Sequence, residues 1–272
     1  MLGKLIKHEF KHSARYVMAI YACTAAVLAV MAIALVIKIT WLSVVASIVL
    51  YVVGLLVVIM TLVAVIKNFY DTLYSNQGYL SFTLPVKCGT LLVSKVLVSF
   101  VWIIASVVAL GLIYLVIFLN ARAQSGEELG SIIDLLRDSG MLEMLPSGEM
   151  IAKFIVYFAV MLLLTILTFV GFVYFSVTLA NTRPLQKHPK LFGFLIFFGS
   201  YALTNSIGAK LTYSLPLSVA VTNDSVKLAF TSMERSDALF SFGLGGTIFM
   251  ALVALGMLFA TGWIMEHKVN IK

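Results

Sequence analysis

The sequence contains little charge. Only 11% of its 272 residues are Asp, Glu, Lys or Arg, and 61% are hydrophobic, whereas soluble domains average about 25% charged and about 45–50% apolar residues. A chain of this composition cannot cover itself with polar surface in water, which excludes an ordinary soluble fold. Runs of about 20 apolar residues, enough to cross a hydrocarbon core about 30 Å thick, recur along it. The sequence therefore predicts an all-α polytopic protein, multi-pass in the cell (plasma) membrane.

Cysteine and catalytic motifs are also scarce. We expect Cys23 on a membrane helix and Cys88 in a cytoplasmic loop, so the two cannot form a disulfide. No CxxC or Cys/His cluster predicts a metal site, and the chain contains no GxxxxGK[ST], HExxH or GxSxG pattern. We therefore expect a chain that is not an enzyme, with no catalytic residue, no metal and no bound cofactor.

Six apolar segments predict six transmembrane helices with both termini in the cytoplasm. This orientation places twelve of the nineteen basic residues inside and nine of the twelve acidic residues outside, as the positive-inside rule requires. The first apolar run, of about 22 residues, exceeds the about 7–15 of a signal-peptide core, so we expect a span there. The net charge of +7 is explained by this topology, and we expect no nucleic acid partner. The predicted spans are Tyr16–Ile37, Ser43–Ile66, Leu91–Leu119, Phe154–Ala180, Leu191–Ile207 and Leu239–Met265.

Residues 1–15 predict an amphipathic interfacial helix that precedes a single transmembrane domain, residues 16–272. Its apolar side chains fall at helical spacing on one face, and its cations occupy the rest of the surface. We interpret it as an elbow helix that passes force to the first span; the alternative is a simple membrane anchor. The apolar face comprises Leu2, Leu5, Ile6 and Phe10, and the polar residues are Lys4, Lys7, His8, Lys11 and His12.

The loop after the second span contains the stretch QGYLSFTLPVK, residues 77–87. Gly78 can adopt the left-handed backbone of a turn, and Pro85 disfavours continuation of a helix. The residues between them predict a short, part-apolar helix that fits a socket on another protein; the alternative is an ordinary structured loop. The predicted docking residues are Gly78, Tyr79, Leu80, Ser81, Phe82, Thr83, Leu84 and Pro85.

These features together resemble the permease subunit of bacterial ABC type-2 transporters, most closely those of Gram-positive bacteria. The resemblance covers the whole chain in topology, and it is specific over residues 76–95, with Gly78-Tyr79-Leu80, Thr83-Leu84-Pro85 and Lys95. It implies that the loop is a coupling helix that docks on a cytoplasmic ABC ATPase. It also implies two ATPase copies that bind ATP and Mg, and a second permease copy or homologue in a dimer.

Within the predicted spans, acidic residues and histidines are absent, and Lys95 lies near an inner end. Ion-coupled transporters usually need intramembrane ionisable groups, so this pattern disfavours a secondary transporter. Small and hydroxyl residues in the spans are mostly expected to pack helices, but Thr168 and Asn205 are candidates for an amphipathic substrate path. The sequence thus predicts an exporter of a peptide, lipid or drug-like substrate; the alternative is a non-transporting immunity or sensor-partner protein that acts by binding.

Two outer segments carry further expectations. A capping-box pattern at Ser125 and Glu128 predicts a short surface helix between the third and fourth spans. Residues 209–238 are less polar than a plain loop, and we expect part of them to form a re-entrant or lid element, since backbone at membrane depth must be buried in protein or face a cavity.

Overall fold

The computed structural model describes residues 2–36, 40–75, 78, 87–125, 148–215, 218–221, 226–229 and 240–267. Helices dominate, and the chain divides into two compact units, Met1–Gly130 and Ser131–Lys272. The described elements, in chain order, are α1 (Leu2–Val36), α2 (Thr40–Tyr74), α3 (Cys88–Ser125), α4 (Gly148–Ala180), α5 (Pro189–Ser214), β1 (Ser218–Val221), β2 (Val226–Ala229), β3 (Phe240–Gly243) and α6 (Gly245–His267).

Five of these helices, α2 to α6, contain segments that are long and apolar enough to cross a membrane. The chain is therefore a multi-pass helical membrane protein. The first predicted span, residues 16–37, corresponds to the second part of α1, is not among these five helices, and stays a prediction. Large apolar side chains on the spanning helices are exposed, as lipid-facing residues should be; Ile48, Leu112, Phe194 and Phe259 are examples.

The first helix runs without interruption through residue 15, where the sequence predicted that an elbow ends and a span begins. From Lys4 to Val36 the chain contains no Gly and no Pro, so nothing in the sequence interrupts the backbone hydrogen bonds of α1. The structure therefore has one helix of 35 residues, and the interfacial position of residues 1–15 stays a prediction.

The first unit is a bundle of α1, α2 and α3, in which each helix contacts the other two. The buried side of α2 repeats at intervals of three to four residues, which is the spacing of one helical face. Its fully buried side chains include Leu50, Val57, Thr61, Phe69 and Leu73. The pattern continues to residue 73, so the bundle is packed beyond the predicted end of the second span at Ile66.

The second unit packs α4 against both α5 and α6, and α5 against α6. Gly246 lies where α5 and α6 are in close contact: a Cβ there would touch the Thr212 hydroxyl and the Gly208 carbonyl. A residue without a side chain is needed where two membrane helices approach this closely.

The segment between α5 and α6 differs from its prediction. Helix α5 continues to Ser214, past the predicted end at Ile207, and three short strands follow in the antiparallel order β2-β1-β3. Ser218 pairs with Ala229 on one side and with Gly243 on the other. The described parts of residues 209–238 thus form a helix end and a sheet, and no re-entrant helix occurs among them.

The predicted start of the sixth span was also wrong, because residues 240–243 form β3 and α6 begins at Gly245. Three glycines at positions 243, 245 and 246 explain the difference, since they lower helix propensity where the apolar run alone suggested a helix. The surface helix predicted from Ser125 and Glu128 lies, except for Ser125 itself, outside the described residues.

Candidate functional site

A buried ion pair joins α1 to α3. The Lys95 Nζ atom lies 2.7 Å from Oε1 of Glu9, and it also donates a hydrogen bond of 2.6 Å to the Thr72 hydroxyl of α2. Lys95 is 2% exposed and Glu9 is 9% exposed. A buried charge is tolerated when it is paired and hydrogen-bonded. These three side chains, the Glu9–Lys95–Thr72 network, therefore connect all three helices of the first unit.

The helical period of α1 places Glu9 on the face that packs against the other helices. Glu9, Ser13 and Val17 follow each other at intervals of four residues, and all three are buried. The second carboxylate oxygen of Glu9, Oε2, is buried and has no hydrogen-bond partner among the described residues. The Lys95 ammonium is thus the group that compensates the charge of Glu9 within this part of the chain.

A second layer of contacts surrounds Trp102 of α3. Its indole Nε1 donates a hydrogen bond of 2.9 Å to the Ser13 hydroxyl oxygen, and its ring stacks on Phe10 with centroids 4.7 Å apart. The Tyr21 hydroxyl donates to the Trp102 carbonyl oxygen at 3.2 Å. Buried indole groups normally satisfy their N–H in this way. Phe10, Ser13 and Tyr21 of α1 therefore contact Trp102 of α3, in addition to the ion pair between Glu9 and Lys95.

Two side-chain contacts show which residues of α1 lie beside which residues of α2. The His12 Nδ1 atom lies 2.9 Å from the Asn68 side-chain oxygen, and the Lys67 Nζ atom lies 5.4 Å from the centre of the Tyr16 ring. Lys67 directly follows the second predicted span, which ends at Ile66. Residues 12–16 of α1 therefore lie at the level where the apolar part of α2 ends.

The predicted elbow residues lie within this packed region. Leu5 and Ile6 are half-buried and Phe10 is 39% exposed, while Lys4, Lys7 and Lys11 are exposed. The apolar face proposed from the sequence is thus only partly covered. The most deeply buried residues of the segment are Glu9 and Ser13, which the sequence assigned to no functional set.

Of the predicted coupling residues, Gly78 lies within the described part of the chain. Its N–H donates to the Ser75 carbonyl oxygen at 2.7 Å, and a Cβ at this position would touch the Leu73 carbonyl. Only glycine fits this turn, which follows the end of α2 at Tyr74. Tyr79, Leu80, Ser81, Phe82, Thr83, Leu84 and Pro85 lie outside the described residues.

The second unit contains a cavity of about 480 Å³ between α4, α5 and α6. Both residues predicted for a substrate path, Thr168 of α4 and Asn205 of α5, line it. No Asp, Glu, Lys, Arg or His is among its lining residues. These are Leu164, Thr165, Thr168, Phe169, Phe197, Tyr201, Asn205, Gly208, Ala209, Thr212, Gly246, Thr247 and Met250.

The polar side-chain groups of this cavity are threonine hydroxyls, the Tyr201 hydroxyl and the Asn205 carboxamide. The hydroxyls of Thr165, Thr168 and Thr212 donate to carbonyl oxygens of their own helices at 2.8–2.9 Å, which leaves them as acceptors only. Asn205 is exposed and its carboxamide makes no hydrogen bond to a described residue. A carboxamide both donates and accepts, so Asn205 supplies the donor group that the threonines do not.

Metal chemistry has no support in the described part of the chain, where no group of three or more His, Cys, Asp or Glu side chains lies close enough to hold an ion. The pairing of Glu9 with Lys95 was not predicted from the sequence. Two features could have revealed it: Glu9 is the one acid in a basic segment, and Lys95 is the one charge among the apolar residues of α3 up to Leu119. Isolated opposite charges on neighbouring helices are candidates for a buried pair.

Comparison with known proteins identifies no relative for this chain. No family model matches the sequence, no curated protein matches it, and no solved structure matches the fold. The helices, the Glu9–Lys95–Thr72 network and the cavity of the second unit are therefore the features that bear on function.

Proposed function

We propose that the chain is the permease subunit of an ATP-driven ABC exporter. Two copies, or one copy and a homologue, form a dimer in the cell membrane, and two cytoplasmic ATPase subunits bind ATP and Mg. The permease itself hydrolyses nothing. Binding of ATP in the partner subunits drives alternating access, which moves an amphipathic or hydrophobic substrate outward.

The observation that carries this proposal is the Glu9–Lys95–Thr72 network. Thr72 lies close to the end of α2 and Lys95 close to the start of α3, so the two residues flank the predicted coupling segment, residues 78–85. Glu9 links both to α1 through Lys95. Force applied to the loop by a partner would therefore reach three helices together, which is what a coupling element requires.

The network lies at the inner end of the predicted spans. Thr72 is one to two turns past Ile66, where the apolar run of α2 ends, and a helix rises about 5.4 Å per turn. A charge pair at this level couples helices without placing an ion relay at the centre of the bilayer. The network thus supports a chain driven by a partner ATPase over a chain driven by an ion gradient.

The cavity of the second unit supplies a substrate path. Its walls are apolar and aromatic, with threonine acceptors, the Tyr201 hydroxyl and the Asn205 carboxamide as polar groups. Ligand pockets of about 300–1,000 Å³ with few placed polar groups suit drug-sized molecules. A peptide, a lipid or a drug-like molecule with an uncharged hydrogen-bonding group fits this chemistry.

The test is co-purification of an ATPase with the tagged chain from its native membrane in mild detergent, followed by an assay of ATP hydrolysis. We expect Phe82→Asp to abolish co-purification, because a charge replaces an apolar side chain at the docking surface. The matched control is Leu185→Asp, which makes a similar change in the segment between α4 and α5. The control variant should retain the ATPase.

Two results would contradict the proposal. An ATPase that co-purifies equally with both variants would remove the coupling role of residues 78–85. The absence of any ATPase, even after crosslinking in the intact membrane, would favour an immunity or sensor-partner protein that acts by binding.

A further inference from the structure

One stripe of α1 is strongly basic and lines a cavity of about 290 Å³. The stripe comprises His8, Lys11, His12, Arg15 and Tyr16, which follow one another at the i, i+3, i+4, i+7 and i+8 spacing of one helical face. No acidic side chain lines this cavity. The same turns of α1 therefore have two different faces. One is buried and contains Glu9, and the other is basic and contains no residue of the Glu9–Lys95–Thr72 network.

Helix α2 contributes to the same region from the other side. Asn68 holds Nδ1 of His12 at 2.9 Å, so Nε2 is the ring nitrogen that stays available to a ligand. Lys67 places its Nζ atom 5.4 Å from the ring centre of Tyr16, which lines the cavity. The cavity is thus flanked by a cation from each helix, Arg15 and Lys67.

The acids nearby do not neutralise this region. Glu9 is paired with Lys95. Asp71 lies one turn from Lys67 on α2 and forms no ion pair with a described residue. Three cations, Lys11, Arg15 and Lys67, therefore outnumber the carboxylate of Asp71, and the region attracts an anion.

The level of the cavity identifies the kind of anion. Arg15 directly precedes the apolar part of α1, and Lys67 directly follows the apolar run of α2. Both residues lie where the hydrocarbon ends and the lipid phosphates begin. Tyr16 is 51% exposed at this level, as expected for an aromatic side chain at the membrane interface.

We propose that this cavity binds the phosphate headgroup of one anionic phospholipid. Lys11 and Arg15 contact the phosphate, Lys67 adds charge from α2, and Tyr16 packs against the lipid at the boundary of the acyl chains. Basic pockets between membrane helices recognise anionic headgroups through the same chemistry. The site depends on the first unit alone, and it stands whether or not the chain is a transporter.

The test measures lipid binding to the purified full chain by native mass spectrometry, with phosphatidylglycerol and phosphatidylcholine of identical acyl chains as probes. We expect wild type to bind one phosphatidylglycerol more tightly than phosphatidylcholine. Lys11→Gln/Arg15→Gln should weaken binding of that lipid about tenfold, since each cation near the surface contributes to the attraction. Arg15→Lys, which keeps the charge, should retain most of the preference.

The matched control is Lys4→Gln/Lys7→Gln, which removes the same charge from exposed positions of α1 outside the cavity. If the control weakened phosphatidylglycerol binding equally, the lipid would be attracted by the overall charge of α1, and the proposed site would be wrong. Competition by inorganic phosphate at concentrations comparable with those of the lipid would assign the cavity to free phosphate and overturn the lipid proposal. Unchanged far-UV circular dichroism of each variant would show that its helices are intact.

Discussion

Replacement of Lys95 by methionine tests the Glu9–Lys95–Thr72 network directly. The change keeps an unbranched apolar chain in place and leaves the Glu9 carboxylate buried without its partner, at 9% exposure. Removal of one member of a buried ion pair costs about 3–5 kcal/mol. We therefore expect Lys95→Met to lower the free energy of unfolding of the first unit by about that amount.

The double variant Glu9→Met/Lys95→Met isolates the pair from the rest of the packing. A buried ion pair replaced by apolar side chains is often neutral or even stabilising. We expect the double variant to lie within about 1–2 kcal/mol of wild type, although Lys95→Met alone is severely destabilised. Such non-additivity is the signature of two groups that interact directly.

The fluorescence of Trp102 can be used to measure unfolding of the first unit. Because its ring stacks on Phe10 at 4.7 Å and its N–H binds Ser13, its fluorescence should report separation of α1 from α3. Unfolding by sodium dodecyl sulfate is followed in a Trp41→Phe/Trp263→Phe background, which leaves Trp102 as the only tryptophan of the chain.

The control variant is Lys190→Met, which removes an exposed lysine of α5 and should change stability little. The reasoning would be refuted by either of two results. One is a cost below about 1 kcal/mol for Lys95→Met, since the buried pair would then be worth no more than an exposed one. The other is a double variant whose cost equals the sum of the single costs.

Two further predictions concern packing. Gly246→Ala should destabilise the chain by about 1–3 kcal/mol, because the new methyl group would touch the Thr212 hydroxyl. The control is Gly256→Ala, which should be neutral or stabilising because no atom lies within 4 Å of the new Cβ. Thermal unfolding of both variants measures the difference. Trp102→Phe should cost about 1 kcal/mol through the lost hydrogen bond to Ser13, and Ser13→Ala should add little to it; an additive double variant would contradict that assignment.

A fourth prediction concerns the cavity of the second unit. If Asn205 supplies the hydrogen-bond donor of a substrate path, Asn205→Leu should reduce transport while the chain remains folded, because Asn205 makes no hydrogen bond to a described residue. Measurement of substrate-stimulated ATP hydrolysis by the reconstituted complex checks this. Ser206→Ala on the same helix, outside the cavity lining, should leave the stimulation unchanged.

Long apolar helices were the most predictable part of the fold. Composition and hydropathy alone indicate them, since no other structure satisfies the backbone of a lipid-exposed segment except a closed barrel. Errors occurred where local propensity competes with hydrophobicity. The run that begins at Leu239 is apolar, but Gly243, Gly245 and Gly246 move the start of α6 to residue 245.

The residues of the candidate sites could be predicted only in part, and their contacts across helices could not. Thr168 and Asn205 were selected as polar residues within spans, and both line one cavity. Their proximity could not be derived from the sequence, because it depends on how α4 packs against α5. Glu9 and Lys95 are 86 positions apart, and helical periodicity describes each face separately without saying which faces meet.

The unbroken course of α1 through the predicted membrane boundary has a mechanical consequence. At about 1.5 Å per residue, a helix of 35 residues is about 52 Å long. If α1 turns as one rod about the level of Arg15 and Tyr16, the shorter arm carries Glu9 and the longer arm crosses the bilayer. A tilt of about 10° would then displace the far end of the longer arm, about 30 Å from the pivot, by about 5 Å. Such a lever would convert a small movement at the network into a larger one on the opposite side of the membrane.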